Sequence, residues 1–420
     1  PDSVISIGHF AFSECSKLSG SLIIPNSVQK IGKYAFSNCF GFTGTLQIPD
    51  SVTLIDDHAF YNCYGFSKSL SISNSVKIIS SYAFCGCFGF KESLNIGDSV
   101  TQIDSYAFCN CSGLSGTLYI PSSVIKISKY AFYCCSGFTG PLVFPEQIKS
   151  ENEITNFLSK LLSYSFYKIE EFSFFGCSGF TSLKIPNSVT EIGEAAFSKC
   201  SGFKGSLKIP NSLKIIEKSV FSGCSRFENS LKIPESVTKI CEYAFFECSS
   251  IIGSLIIPNS VISIGRYSFY HCSGFNGALK LSDSLTIISE FSFDGCSEFI
   301  GSLIIPDSVS IIGECAFCGC KGFNGQLLIP QSIAKIGENS FKLTKFSKIN
   351  FEGSNEPQCQ NLIGFNKNDI VYVKDEYDKK TFCSYKISSE NDYKTKFYFT
   401  KIFLKHFVFD VFCACCINGI

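Results

Sequence analysis

The 420-residue sequence contains no methionine and only four histidines, and its 36 basic residues balance 36 acidic ones. Zero net charge argues against a protein built to coat nucleic acid or an anionic membrane. His9, His58, His271 and His406 lie far apart, so they suggest neither a metal centre nor an acid–base pair. The phosphate-cradling and nucleophile-elbow motifs G-x-x-x-x-G-K, G-x-G-x-x-G and G-x-S-x-G are also missing. We therefore expect no enzyme site and no cofactor. No charged-then-apolar leader opens the chain, which begins at Pro1 in phase with a repeat, and it is expected to be a fragment. With 45% hydrophobic and 17% charged residues it can bury a large core, and disorder is not expected.

What is present is periodicity. Aligning Pro1, Pro25 and Pro49 brings the rest into register, with further units at Ser73, Gly97, Pro121, Pro145, Pro186, Pro210, Pro234, Pro258, Ser282, Pro306 and Pro330. Every interval is 24 residues except the 41 between Pro145 and Pro186. The unit reads P-N-S-V-x-x-I-G-x-x-A-F-x-x-C-S-G-F-x-G-S-L-x-I. Such regularity predicts a stack of units, since one unit cannot bury its own apolar face.

The S-L-x-I segment alternates like a half-buried strand, and S-V-x-x-I suggests a second extended piece. Between them, A-F-x-x-C is expected to form a short helical turn. Proline and glycine would supply the corners, and thirteen steps of about 4.8 Å give a sheet roughly 60 Å long.

Thirteen of the 24 cysteines occupy the fifteenth position, from Cys15 to Cys320. A residue repeated once per turn stacks on its own copies, which predicts a ladder of free core thiols. Pairing along it would be frustrated, because each thiol has two equivalent neighbours. Cys85, Cys87, Cys109 and Cys111 leave a zinc site or a Cys85–Cys109 disulfide as alternatives to free thiols. Serine at the third position is expected to bond backbone at a corner. The one N-glycosylation sequon, Asn110-Cys111-Ser112, has a core cysteine at its centre, which argues against modification.

Departures from the repeat point to function. An insert at about 149–166 places Ile154, Phe157, Leu158, Leu161 and Leu162 at helical spacing behind a Ser150/Glu153 capping box. It predicts an amphipathic helix that either covers the solenoid flank or docks a partner. The outward position of the S-L-x-I strand includes Tyr119, Lys184, Lys208, Lys232, Ile256, Lys280, Ile304 and Leu328. This strip is either a solvated sheet guarded by lysines or a face for acidic partners with apolar content, such as sulfated glycans or acidic proteins. Periodicity stops near 350, and residues 351–420 form a closing segment, with I-V-Y-V as a last strand, and an apolar tail. Lys401, Lys405 and Asp410 interrupt the tail, leaving no uncharged run of membrane-spanning length. A membrane-associating tail acylated at Cys415 or Cys416, a capping piece and read-through sequence all stay open.

Units 186–209 and 306–329 resemble the BspA-type leucine-rich repeats of bacterial and protist surface proteins, and the resemblance spans residues 1 to about 350. It implies an elongated, curved, right-handed leucine-rich-repeat solenoid with a strand and a short helical turn per repeat. It also implies display at the cell surface or secretion, and adhesion to host cells, matrix or other microbes through protein or glycan ligands. No catalytic residues carry over. The alternative function is an intracellular protein-interaction scaffold, cytoplasmic, with its thiols reduced.

Overall fold

Two strands of mostly two residues recur along the turns of the chain, and most pair in parallel with their counterparts one turn on. The computed structural model describes residues 1–145, 168–360, 363–366 and 368–389. The first ladder starts at Ser6–Ile7 and ends at Gln358–Cys359, with Ser6 opposite Lys30 and Ile7 opposite Ile31. The second carries the L-x pairs, with Leu46 opposite Leu70 and Leu303 opposite Leu327. The first ladder keeps its register across the long unit, where Lys126 pairs with Lys168 and Ile127 with Ile169. The result is an elongated parallel β-solenoid.

Inward positions build columns of identical residues. Fifteen phenylalanine rings from Phe12 to Phe365 stack face to face, with neighbouring centroids 5.1–5.9 Å apart. That spacing suits offset aromatic pairs, and parallel strands bring successive turns close enough to permit it. A second ring column at the eighteenth position is interrupted by Leu114 and Ile251, both buried.

The cysteine column is hydrogen-bonded. Each thiol from Cys39 to Cys320 donates to the carbonyl of the twelfth-position phenylalanine one turn earlier, at 2.8–3.2 Å. Phe108 O, for example, accepts both the Cys111 N–H and the Cys135 thiol, so both lone pairs are used. The thirteen column thiols are free, as are Cys85 and Cys109. Serine at the third position also bonds across turns: Ser27, Ser123 and Ser332 donate to Val4 O, Val100 O and Val309 O.

The expected helical turn does not form; among the described residues there is no helix. Over positions 8 to 15 alternate N–H groups close short turns, as Ala35 N–H does on Gly32 O. The intervening ones reach the next turn, as Phe36 N–H does to Ala59 O. A helix would spend all these donors within its own unit and leave the neighbouring turn unbonded. The alternation requires left-handed backbone at positions 10 and 14. In all fourteen units the tenth residue has φ between +51° and +60°. Position 14 is often Asn or Gly, the usual occupants of that conformation. At the seventeenth position glycine is required by closeness, since a Cβ on Gly89 would collide with the Tyr64 carbonyl.

Toward the C terminus, Lys348–Phe351, Ile370–Val373 and Tyr385–Ser389 extend the second ladder. Thr381–Phe382 folds back antiparallel on the last of these. Cys359 and Cys383 are disulfide-bonded, with Cα atoms 5.7 Å apart, and tie this hairpin to the end of the first ladder.

Two predictions follow from the columns. Phe108→Ala removes a fully buried ring from mid-stack and should cost about 3–5 kcal/mol in denaturant unfolding; a loss below 1 kcal/mol would contradict the packing account. Burial pushes all twelve hydrogen-bonded thiols above the ordinary thiol value, Cys39 to about 11. Below pH ~9 folded and unfolded chains both hold these protons. Above it only the unfolded thiols ionise, so stability should fall by about 1.4 kcal/mol per pH unit for each thiol. Circular dichroism should show a steep loss of native structure within about two units above pH 9, and an intact fold at pH 11 would refute it.

Candidate ligand face

In the second ladder, positions 22 and 24 point into the core, and position 23 faces solvent. Leu207 and Ile209 are buried on either side of exposed Lys208. All eight strip residues fall in this single outward row. Tyr119 is 64% exposed, Ile256 and Ile304 are 37% and 39% exposed, and Leu328 is half-buried. Lys184, Lys208 and Lys232 occupy three consecutive turns, with Lys208 directly opposite Lys232. Lys280 lies two turns further on, opposite Ile256.

The three consecutive lysines line a groove of about 660 Å³ between the strand row and the Pro-Asn-Ser corner. Asn187 and Asn211, with Ser188, Ser206 and Ser230, complete its polar lining, and no carboxylate takes part. The Asn211 N–H donates to Asn187 Oδ1 at 3.1 Å, so the asparagines themselves form a short column. At the same place the ladder bulges between Ser206 and Lys208, and its partner strand lengthens to Glu228–Lys232. An array of amines, amides and hydroxyls presents donors to anionic oxygens, whether sulfate, phosphate or carboxylate.

The first ladder's outer side treats its lysines differently. Lys126, Lys129, Lys168 and Lys218 pair with Glu170, Glu171, Glu191 and Glu194 at 3.0–3.4 Å. The groove there, about 700 Å³, is lined by Glu170, Glu171, Glu191, Glu194 and Glu217 as well as lysines. Its charge is compensated internally, whereas no carboxylate lines the second-ladder groove.

The other sequence candidates separate. Ile154, Phe157, Leu158, Leu161 and Leu162 lie outside the described residues. His58 is sandwiched between Tyr34 and Tyr82 at 4.4 and 4.5 Å, where burial pushes its pKa down. His9 accepts the Lys33 N–H at an exposed corner. Among the described residues no three His, Cys, Asp or Glu side chains are grouped to hold a metal ion.

Two aromatic rows escaped the sequence reading. Rings at the tenth position, half-buried except for exposed Phe10, stack from Phe10 to Phe172 at 4.4–5.0 Å. Phe40, Tyr64 and Phe88 stack at 4.9–5.0 Å where most other units have serine, and they are 37–51% exposed. The signal for both was recurrence at 24-residue spacing outside the constant positions.

The opposition of Lys208 and Lys232 has a cost without a ligand, because like charges directly across a ladder repel. Lys208→Ser should therefore raise stability by about 0.2–1 kcal/mol at low ionic strength, and the gain should vanish in molar salt. A melting temperature that drops at both ionic strengths would contradict the repulsion.

Comparison with known proteins gives a consistent result. The chain matches the BspA type leucine rich repeat region in six copies, over residues 1–115, 66–158, 152–276 and 251–363. No curated protein matches it. It is similar in structure to a leucine-rich repeat protein from Bacteroides ovatus, at 28% identity and a TM-score of 0.63, covering 92% of this chain and 87% of that one. A leucine rich cell surface protein from Faecalibacterium prausnitzii is 27% identical, with a TM-score of 0.47 over 79% of this chain and 85% of that one.

Proposed function

The chain belongs to the BspA-type leucine-rich repeat family, and from that premise we propose that it is a non-enzymatic adhesive solenoid displayed at a cell surface. Its ligand is an extended polyanion, a sulfated glycan or an acidic protein segment, held along the second-ladder row. The observation that carries this reading is the contrast between the two lysine sets. Lys126, Lys129, Lys168 and Lys218 on the first ladder pair with glutamates, while Lys208 and Lys232 stand directly opposite each other in a groove lined by no carboxylate. Repulsion within that row is relieved when an anion binds, which turns a small folding cost into binding energy. Equal spacing along the stack lets weak contacts add, since each rung engages a partner already held by its neighbours.

Two features support a location outside the cell. The Cys359–Cys383 disulfide suits an oxidising compartment. The column thiols need no reducing one, because buried, protonated thiols are poor nucleophiles. The same disulfide weighs against the alternative of a cytoplasmic scaffold.

The test is saturable binding of the full chain to heparin-type glycans, matrix proteins and host cells. It is compared with a variant in which Lys184, Lys208, Lys232 and Lys280 are all serine. The variant should bind at least about tenfold more weakly, roughly 1.4 kcal/mol, with a melting temperature no lower than the parent's. Equal binding by both proteins would remove the site assignment; no binding by either, with both folded, would remove the adhesive function.

A further inference from the structure

The sequon Asn110-Cys111-Ser112 looks unusable while its cysteine is considered alone. The fold separates the three residues: Cys111 is buried in the thiol column, and Asn110 and Ser112 are exposed at the adjoining corner. Asn110 has φ +58° at the fourteenth position, which turns the chain outward there. Its neighbours in that column explain its freedom. Two turns earlier, Asn62 donates its side-chain amide to Asn38, so those amides satisfy each other. Asn110 has Gly86 on one side and Cys134 on the other, and its own amide makes no side-chain hydrogen bond among the described residues. Gly86 carries no side chain, and Phe88, 51% exposed, ends its row of three rings beside Ser112. The corner around Asn110 is therefore open to a bulky substituent.

We propose that Asn110 is an N-glycosylation site and that it carries the chain's one N-linked glycan. The donor is a lipid-linked oligosaccharide. Asn110 Nδ2 attacks the anomeric carbon, the N–C bond forms, and the C–O bond to the lipid diphosphate breaks. One amide proton leaves with the diphosphate. Transfer takes place before this turn packs, because in the folded state the Asn110 N–H is bonded to Tyr133 O and the Cys111 thiol to Phe84 O. Folding then buries Cys111 and leaves the glycosylated side chain outside. This inference rests on the surface-display reading, since only a chain that enters the secretory route meets that donor.

The test expresses the full chain behind a secretory leader in eukaryotic cells, alongside Asn110→Gln and Ser112→Ala. The parent should show a single mobility step that peptide N-glycosidase removes, and both variants should lack it. All three, once deglycosylated, should fold, with Ser112→Ala melting as the parent does and Asn110→Gln slightly lower, because Gln suits the left-handed backbone at φ +58° less well than Asn. A parent that is secreted and folded yet lacks the step would overturn the assignment. Surface labelling of the protein's native cells is read separately. A glycosylated chain from the expression host with no label on native cells would sink surface display and leave the acceptor assignment standing.

Discussion

Parallel pairing at a fixed 24-residue interval places almost every side chain of this molecule against its own counterpart one turn away. That constraint decides which residues each position accepts. Rings stack at a separation the turn spacing permits, so phenylalanine fills the twelfth position throughout. A thiol is small enough for a crowded column and still donates to the carbonyl beside it, satisfying a buried acceptor that would otherwise lack a second partner. Asparagine and serine pair with their copies or with the preceding turn's backbone. Charge is the one property that stacks badly on itself.

The lysine row takes its meaning from that exception. On the first ladder the repeat has placed glutamate near lysine, and the alternation converts a liability into surface ion pairs worth little individually. On the second ladder Lys208 and Lys232 stand directly opposite each other, in a groove lined by no carboxylate.

Much of this was legible in the residues. Ile31 and Leu46 announce both strands, and the recurrence of Phe36 and Cys39 announces the core columns. Cys39 was readable as a free thiol because a ladder offers no unique partner. The corner was misread, and the reason is physical: A-F-x-x-C is compatible with a helical turn until the destination of its N–H groups is known. Asn38, Asn62 and Gly86 at position 14 hinted at left-handed backbone. Tyr82, Tyr106 and Tyr130 at position 10 gave no such hint, since an aromatic residue there costs about 1–2 kcal/mol and is held by stacking that only the assembled structure reveals. The outward row was visible as a list of residues, but which lysines pair with glutamates was not. Pairing between residues 23 to 44 apart depends on register and rotamer.

The most direct measurement is lysine acetylation footprinting of the full chain, with and without a heparin-type glycan. The account predicts protection of Lys184, Lys208, Lys232 and Lys280 and unchanged reactivity at Lys129 and Lys168. Protection concentrated on the first-ladder lysines, or spread evenly over both sides, would contradict it.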